Sequence, residues 1–539
     1  MRPDGLTPNR EVGPSRVGST GIYAHRVSTV PSTIRVVEVL AALSLTTDLA
    51  SGVPFEKGLR TCLVGEAFGR ELGLGESDRR GVYQAALLRG IGCTSHSSEN
   101  AAMFVDDVAF QAMLRVLDPA RPDVFRAQMS QFGQWAGRDR QALLAHRFLR
   151  DAPEVGPRAA LSGCEVSRAL GSLLGLDVAA VSALDEVYER WDGSGIPYGR
   201  AGDALSIHAR VVHVAEQAVL AHAAGGVPAA VAEVRHRAGG HLDPDLAIAF
   251  CASGEVLLGE LDQADLLAAV VGAEPGPPAR IPFDDLDRLC VALAAVADLK
   301  GRFLLGHSNH VADIATSAAR LLGSVDQRLV GAAALLHDVG RVAVSSDVWD
   351  RPGPLSVGDW DRVRLHSYWT ARVLQRSPAT AALAVDASSH HERCDGSGYH
   401  RGVAAGDQSL IARLIAAADV LAALTEPRPH RPAWSLSQAT GIIRSEVEAG
   451  RLDHEACAGV LEAAGQPRPR LGYPCGLSER EVAVLRLTAR GQTNRRIATE
   501  LGISERTVGH HLAHIYDKTG RHTRAGVAVL AMEHGLLPR

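Results

Sequence analysis

The segment 335–340 reads Leu335-Leu336-His337-Asp338-Val339-Gly340, an apolar run that ends in an adjacent His-Asp pair and a glycine. A helix that ends in this way can direct one imidazole nitrogen and one carboxylate into the interior of a helical bundle. Because a carboxylate has two oxygens, it can bridge two cations. The segment therefore predicts a helical fold built around a buried polar site.

More imidazoles and carboxylates flank this pair along the chain: His307, His366, His390, His391 and Asp419. Side chains of these types, offered without thiolates, are ligands for borderline or hard divalent metals. Two bridged ions would lower the pKa of a shared water and direct it at a phosphorus atom. The pattern therefore indicates metal-assisted phosphoester hydrolysis.

The region around this motif occurs twice in the chain. Four pairs of segments match in the same order: 87–92 with 335–340, 189–195 with 392–398, 209–210 with 412–413, and 242–244 with 452–454. Such an ordered set indicates a duplicated domain. The first copy is longer, and we expect its additional residues within 104–160.

The composition is that of a globular protein. Of 539 residues, 46% are hydrophobic and 22% are charged, with a net charge of -5, which excludes disordered, collagen-like and coiled-coil chains. The eight cysteines form no Cys-x-x-Cys pair, which argues against a zinc ribbon or a secreted disulfide framework. No apolar run reaches the roughly 18 residues that cross a bilayer. We therefore expect a cytoplasmic protein without a membrane partner.

Apolar residues recur at helical spacing from about residue 33 onward, so we predict an all-α fold. Two Pro- and Gly-rich segments interrupt this pattern and are predicted to be exposed, stiff spacers. The predicted units are a disordered N-terminus (1–33), a first bundle (34–270), a linker (271–282), a second bundle (283–464), a linker (465–476) and a small C-terminal bundle (477–539).

The second bundle resembles the HD-GYP branch of the HD-domain metal-dependent phosphohydrolases. The resemblance rests on His337-Asp338, His390-His391-Glu392-Arg393, Asp395-Gly396-Ser397-Gly398-Tyr399 and Asp419. It implies that the metal ligands are His307, His337, Asp338, His366, His390, His391 and Asp419. It also implies hydrolysis of cyclic di-GMP at an iron or manganese site. A glutamate that binds a third ion in part of the family is replaced by Phe303, so we expect two divalent ions, iron or manganese.

The chain departs from this family at two positions. Arg341 stands where the family has a lysine. The arginine keeps a permanent positive charge and can hold phosphate, but it cannot donate a proton. His400 replaces the proline of the Gly-Tyr-Pro signature, next to the loop that is expected to contact substrate or a partner. The residues expected in catalysis or phosphate binding are Asp338, Arg341, Arg428 and Arg431, and those of the loop are Asp395, Gly396, Gly398 and Tyr399.

The first bundle reads as a copy that has lost its ligands. Leu59 is aligned with His307, Arg89-Gly90 with His337-Asp338, and Val187-Tyr188 with His390-His391, while Glu216 keeps a carboxylate opposite Asp419. Without imidazoles this copy is expected to be catalytically inactive. The sequence favours a packing scaffold over a small-ligand pocket formed by Tyr188, Asp192 and Arg89.

Residues 477–539 carry ten Arg and Lys against six Asp and Glu, a local positive excess within a chain of net charge -5. Ser and Thr caps followed by glycine stops predict three helices: Ser478 to Gly491, Thr493 to Gly502, and Ser504 to Gly520. The later two would form a helix-turn-helix that enters the major groove of double-stranded DNA.

This C-terminal unit resembles the LuxR/NarL-type DNA-binding domain over nearly its whole length. The resemblance rests on 477–485, 491–498 and 504–511, and it implies dimerisation through a fourth helix at about Thr523 to His534. Gly509 stands where the family usually has a lysine. The residues expected to contact DNA are Thr493, Asn494, Arg506, Thr507, His510, His511, His514 and Lys518.

These features together predict a homodimeric, one-component transcription regulator. In one hypothesis the second bundle consumes a phosphoester such as a cyclic dinucleotide. In the other, the same bundle senses a metal or a nucleotide without turnover.

Overall fold

The structure, a computed structural model, describes residues 32–119, 121–259, 261, 265–467 and 471–537. This part of the chain is almost entirely helical, so the predicted all-α class is confirmed. The helices of the first bundle are α1 (Val36–Ala50), α2 (Lys57–Glu71), α3 (Glu76–Leu88), α4 (Ser97–Phe104), α5 (Asp107–Val116), α6 (Pro122–Gln131), α7 (Arg138–Leu173), α8 (Val178–Leu184), α9 (Ile207–Arg237), α10 (Pro244–Gly259) and α11 (Leu266–Gly272).

The second bundle and the C-terminal unit are also helical. Their helices are α12 (Leu286–Asp298), α13 (His307–Leu322), α14 (Gln327–Leu336), α15 (Ser346–Trp349), α16 (Val357–Arg376), α17 (Pro378–Ala381), α18 (Ala384–Ala387), α19 (Leu410–Thr425), α20 (Leu436–Glu448), α21 (His454–Ala463), α22 (Glu479–Ala489), α23 (Asn494–Leu501), α24 (Glu505–Thr519) and α25 (Arg524–Glu533).

The two bundles repeat the same internal bonds at the predicted landmarks. The Arg210 guanidinium lies 2.9 Å from the Asp243 carboxylate, and the Arg413 guanidinium lies 2.7 Å from that of Asp453. In both bundles, a buried glutamate of the 189–195 or 392–398 segment accepts two backbone N–H groups from the loop that follows. These matched contacts are what a duplicated domain requires.

One continuous apolar core joins the two bundles. Helix α1 of the first bundle packs against α12 and against the 3₁₀ turn Val339–Ala343, which directly follows Asp338. The loop of the His-Asp pair is therefore held by helices from both bundles.

The linkers are more ordered than the sequence predicted. Strands β1 (Thr33–Arg35) and β2 (Arg280–Pro282) pair antiparallel, with Ile34 opposite Ile281, so the first linker forms an edge of the fold. In the second linker Leu471 is buried and the Tyr473 ring stacks on His454 at 4.0 Å. The prediction of exposed spacers is wrong at Leu471 and Tyr473, whose side chains pack on the second bundle, whereas residues 277–280 and 282 of the first linker are exposed as predicted. Residues 1–31 of the predicted disordered N-terminus lie outside the described part.

The C-terminal unit has a core of its own, built from α22 to α25. The capping box of Ser478 and Glu481 is present, Thr493 and Ser504 cap α23 and α24, and α23 ends at Gly502 in the left-handed conformation. The predicted starts and ends of these helices are confirmed. Among the described residues, no helix combines the length and the apolar character that crossing a bilayer requires.

Candidate metal centre and DNA-binding surface

The seven predicted metal ligands converge in the interior of the second bundle. His307 begins α13, His337 follows α14, His366 lies within α16 and Asp419 within α19, while His390 and His391 lie between α18 and α19. Three groups of these side chains have ligand atoms within 4.8 Å of one another: His307 with His337 and Asp419, His337 with Asp338 and His390, and His366 with His390 and His391. The fold thus brings together residues that lie as far apart as 307 and 419.

The Asp338 carboxylate lies between two groups of imidazoles. Its Oδ1 atom is 3.3 Å from Nε2 of His366 and 3.4 Å from Nε2 of His390. Its Oδ2 atom is 3.1 Å from Nε2 of His337 and 3.8 Å from Nε2 of His307. A carboxylate with one oxygen toward each group is placed to bridge two cations.

Three of the histidines are oriented by the backbone of the turn that precedes them. The Nδ1 atoms of His337, His366 and His390 each lie within hydrogen-bonding distance of the carbonyl oxygen three residues earlier. An Nδ1–H that donates to this carbonyl leaves the Nε2 lone pair free and directed at the centre. The backbone therefore selects the tautomer that can bind a metal.

His307 is oriented by a carboxylate that the sequence analysis did not identify. Its Nδ1 atom is 2.8 Å from Oε2 of Glu426, and its Nε2 atom is 3.2 Å from Oδ1 of Asp419. Carboxylates in the position of Glu426 fix the ring and raise the basicity of a metal-binding histidine. No local sequence pattern marked Glu426 for this role, because its contact with His307 joins residues 119 positions apart.

Charges in the centre suit metal ions. Burial raises the pKa of Asp338, but Arg341 and His337 outweigh it and hold that pKa well below its usual range. Burial lowers the pKa of His390 to about 4, which keeps this imidazole neutral and able to act as a ligand.

Nε2 of His337 and both oxygens of Asp338 are buried without a hydrogen bond of acceptable geometry among the described residues. Buried polar atoms without partners are costly unless a ligand satisfies them. The donor set, rich in imidazole and carboxylate, fits iron, manganese or zinc.

A cavity of about 650 Å³ opens beside the centre. His366, His391, Tyr399 and Asp419 form its metal side, and Arg341, Arg428, Trp349 and Trp360 lie among its other walls. The Arg341 guanidinium stacks on Trp349 at 4.8 Å and contacts Asp338 at 2.6 Å, while its Nε and Nη1 atoms have no hydrogen-bonding partner among the described residues. The Arg341 cation thus forms part of the cavity wall, where it can attract an anion.

The two other predicted phosphate-binding arginines are placed differently. Arg428 lies in the cavity wall and donates to the Phe303 carbonyl at 3.2 Å. Arg431 is not part of the cavity wall; it donates to the carbonyl oxygens of Ala423 and Leu424 at the end of α19 and stacks on Trp434 at 4.7 Å. Its position is that of a loop-fixing residue, so the structure does not bring it to the site.

The loop 395–399 positions one aromatic ring over the centre. Asp395 accepts hydrogen bonds from the N–H and hydroxyl of Ser397, and Gly396 has a φ of +78°. A Cβ on Gly398 would lie 2.4 Å from the Arg393 nitrogen, so this position requires glycine. The result is that the Tyr399 ring stacks on His391 at 4.8 Å and borders the cavity.

In the first bundle, positive side chains occupy the place of the metal centre. Lys57 begins α2 as His307 begins α13, so Lys57 is its counterpart and the alignment of Leu59 with His307 is wrong by two residues. The correct register was visible in the Asp-Leu pairs 48–49 and 298–299, which precede Lys57 and His307 by the same number of residues. The Lys57 ammonium is 2.6 Å from Oε1 of Glu216, and Nε of Arg89 is 2.8 Å from Oε2.

Arg115 on the additional helix α5 supplies a third cation, 3.6 Å from the Glu216 carboxylate. These contacts outweigh burial and hold the pKa of Glu216 below its usual range. Fixed side-chain charges thus stand where the second bundle offers ligands.

The C-terminal unit presents a basic surface on α23 and α24. Arg506, His510 and His514 are exposed, and Thr507 and His511 are half-buried. Two predicted contacts are occupied within the protein: Asn494 pairs with Arg524, and the Lys518 ammonium is 2.7 Å from the Glu481 carboxylate. Arg495 and Arg496 are exposed on α23 and were missed, although their sequence position beside Asn494 was visible.

Comparisons with known proteins agree with this geometry. Residues 292–456 match the family model of the HD domain, and residues 476–531 match that of bacterial regulatory proteins of the luxR family. The chain therefore contains an HD domain followed by a LuxR-type helix-turn-helix domain.

A 3'3'-cGAMP-specific phosphodiesterase 3 of Vibrio cholerae serotype O1 is 27% identical over 81% of this chain and 96% of its own length. A cyclic di-GMP phosphodiesterase of Pseudomonas aeruginosa is 36% identical over 30% of this chain and 39% of its own length. A crystal structure described as a cyclic GMP-AMP specific phosphodiesterase of V. cholerae superposes with a TM-score of 0.56 at 23% identity. The superposition covers 81% of this chain and 99% of the chain in that structure. This likeness shows that the two-bundle fold is shared.

Proposed function

We propose that this protein is a LuxR-type DNA-binding transcription regulator whose second bundle binds two divalent ions and hydrolyses a cyclic dinucleotide. The observation that carries the proposal is the position of Asp338, whose two oxygens face two separate groups of imidazoles. The names of the similar phosphodiesterases support a cyclic dinucleotide as the substrate class. Iron and manganese are the proposed ions, and the proposed domain boundaries are those given by the sequence.

The residues of the second bundle have separable roles in this reaction. Divalent ions at the centre would supply positive charge to the phosphate and lower the pKa of the attacking water. Arg341 and Arg428 supply two cations to the cavity wall, where they can hold the phosphate. Tyr399, Trp349 and Trp360 offer aromatic faces on which a nucleobase can stack. The cavity, at about 650 Å³, lies in the size range of ligand sites.

The second candidate function is sensing without turnover, and Arg341 is the observation that favours it. An arginine cannot donate a proton to the departing oxygen as a lysine can. A site that holds metal and nucleotide but turns over slowly would still control the DNA-binding domain.

The path from the site to DNA is short. The segment that carries Tyr399 continues to Ala405 and Gly406, which border α25 beside Met532. Arg486 of α22 lies 3.3 Å from Glu455 of the second bundle. Nucleotide in the cavity would therefore act on the segment against which the DNA-binding domain packs. A homodimer through α25 is part of the proposal, and Val529 and Met532 of this helix are exposed.

The test uses the full chain loaded with manganese or iron(II) and incubated with 3'3'-cGAMP or cyclic di-GMP. We expect a linear dinucleotide product from the unaltered protein. We expect at least a hundredfold less from His337→Ala, which removes a ligand, and no change from His522→Ala, an exposed histidine of the C-terminal unit. Nucleotide binding without hydrolysis would favour the sensor, and absence of metal by elemental analysis would reject both.

A further inference from the structure

The first bundle contains a cavity that no step of the proposed reaction uses. Its volume is about 210 Å³, and it lies between helices α4, α5 and α7 and the loop around Tyr188. We propose that this cavity is a binding site for one small, uncharged aromatic molecule.

The cavity is the first bundle's counterpart of the cavity beside the metal centre. The repeat aligns Cys93 with Arg341, Tyr188 with His391, and Ile196 with Tyr399. All three of these first-bundle residues line the cavity. The first bundle therefore has a pocket at the corresponding place, but Cys93 stands there instead of the cation Arg341 and Tyr188 instead of the candidate metal ligand His391. These replacements remove affinity for a phosphate.

The walls of the cavity are chiefly apolar and aromatic. Phe104, Phe110 and Phe148 line it, and the first two stack on each other with ring centroids 4.1 Å apart. The Phe148 ring lies 6.2 Å from the Phe104 ring and 6.1 Å from the Phe110 ring. Such rings favour another aromatic ring at an offset or an edge.

The size of the cavity limits the ligand. An apolar cavity of about 150 Å³ in another protein binds benzene. A cavity of about 210 Å³ therefore has room for a single substituted ring or a fused bicycle. Polar groups on its wall, among them Tyr188 and Gln111, can bond one polar substituent.

The cavity is built before any ligand arrives, because its central wall is anchored to the second bundle. Helix α5 begins at Asp107, a buried residue whose carboxylate pairs with buried Lys300 and accepts the Ser346 N–H at 2.8 Å. Phe110, Gln111 and Leu114 of the same helix line the cavity. A preformed pocket avoids the entropy cost of ordering its wall when the ligand binds.

The test measures binding of 5-fluoroindole to the full chain by ¹⁹F NMR and titration calorimetry. We expect saturable binding with one molecule per chain. Gly156 lies in the wall, and a Cβ there would be 3.6 Å from Ile196, so Gly156→Phe fills the cavity. We expect this variant to bind at least tenfold more weakly.

Arg158→Phe is the matched control, because this exposed residue of the same helix lies outside the cavity wall. It should bind as the unaltered protein does. Val155→Phe provides a second filled cavity if Gly156→Phe does not fold, as judged by thermal unfolding. Absence of saturable binding, or equal binding by a folded variant with a filled cavity, would overturn the proposal.

Discussion

Replacement of Glu426 by glutamine tests whether this carboxylate supports metal binding through His307. The change keeps the size of the side chain and removes its charge. In the structure, one Glu426 oxygen is 2.8 Å from Nδ1 of His307, and the other is 2.8 Å from Nδ1 of His310. Burial raises the Glu426 pKa, but the hydrogen bonds from His307 and His310 outweigh it and hold it at about 2. The glutamate is therefore ionised at every pH at which metal binding is measured.

The expected magnitude follows from the type of bond lost. A hydrogen bond to a charged group contributes about 1.5–3 kcal/mol, against about 0.5–1.5 kcal/mol between neutral groups. The difference of about 1–2 kcal/mol corresponds to about a tenfold change in affinity. Partners behind a metal ligand typically contribute about 10–100-fold. We therefore expect Glu426→Gln to weaken metal binding by about 10–100-fold.

The assay is a titration of the metal-free full chain with manganese in competition with a chelating dye at fixed pH. Glu448→Gln is the matched control, since this glutamate is exposed at the end of α20. Thermal unfolding establishes that each variant is folded. A folded Glu426→Gln protein with unchanged metal affinity would refute the reasoning, because His307 would then not depend on the carboxylate behind it.

Three further predictions concern other parts of the molecule. Arg506→Ala should lower DNA affinity and reduce the slope of log affinity against log salt concentration by about one. Gly509→Lys should raise both the affinity and this slope, because the position has open space for a lysine side chain. DNA binding that does not change with salt would contradict both expectations. Gly340→Ala should cost more than about 3 kcal/mol in urea unfolding, because its Cβ would lie 2.1 Å from the His366 carbonyl oxygen; unchanged stability would refute that packing. Burial raises the Asp48 pKa to about 7, so unfolding free energy should fall by up to about 4 kcal/mol as pH rises from about 4 to 7. Asp48→Asn should flatten this slope in calorimetry, and an equal slope would contradict the assignment.

Much of the site could be predicted from the sequence because its ligands are of chemically rare types at recognisable spacings. The adjacent pairs His337-Asp338 and His390-His391 are the motifs that indicate a metal site in the sequence. The ends of the first three helices of the C-terminal unit could be predicted because caps such as Ser478 with Glu481 act over three or four positions. Both kinds of motif consist of residues that are close together in the chain, so they are visible in the sequence.

Other features depended on contacts between distant segments. Glu426 reaches His307 across 119 residues, and no local pattern marks that approach. Arg431 appeared equivalent to Arg428 in the sequence, yet its guanidinium donates to carbonyl oxygens at the end of α19. Lys57 took the place assigned to Leu59, because the register of α2 is set by the left-handed residue before it.

The sequence by itself determined the helical class, the internal repeat, seven candidate metal ligands and the helices of the C-terminal unit, since each follows from residue type, motif, period or cap. Only the tertiary structure decided which oxygen of Asp338 faces which imidazole, which cations meet Glu216, and that a cavity lies behind Tyr188. The physical reason is that helix packing fixes these distances. A shift of one helical turn, about 5.4 Å, would separate every one of these pairs without changing a single residue.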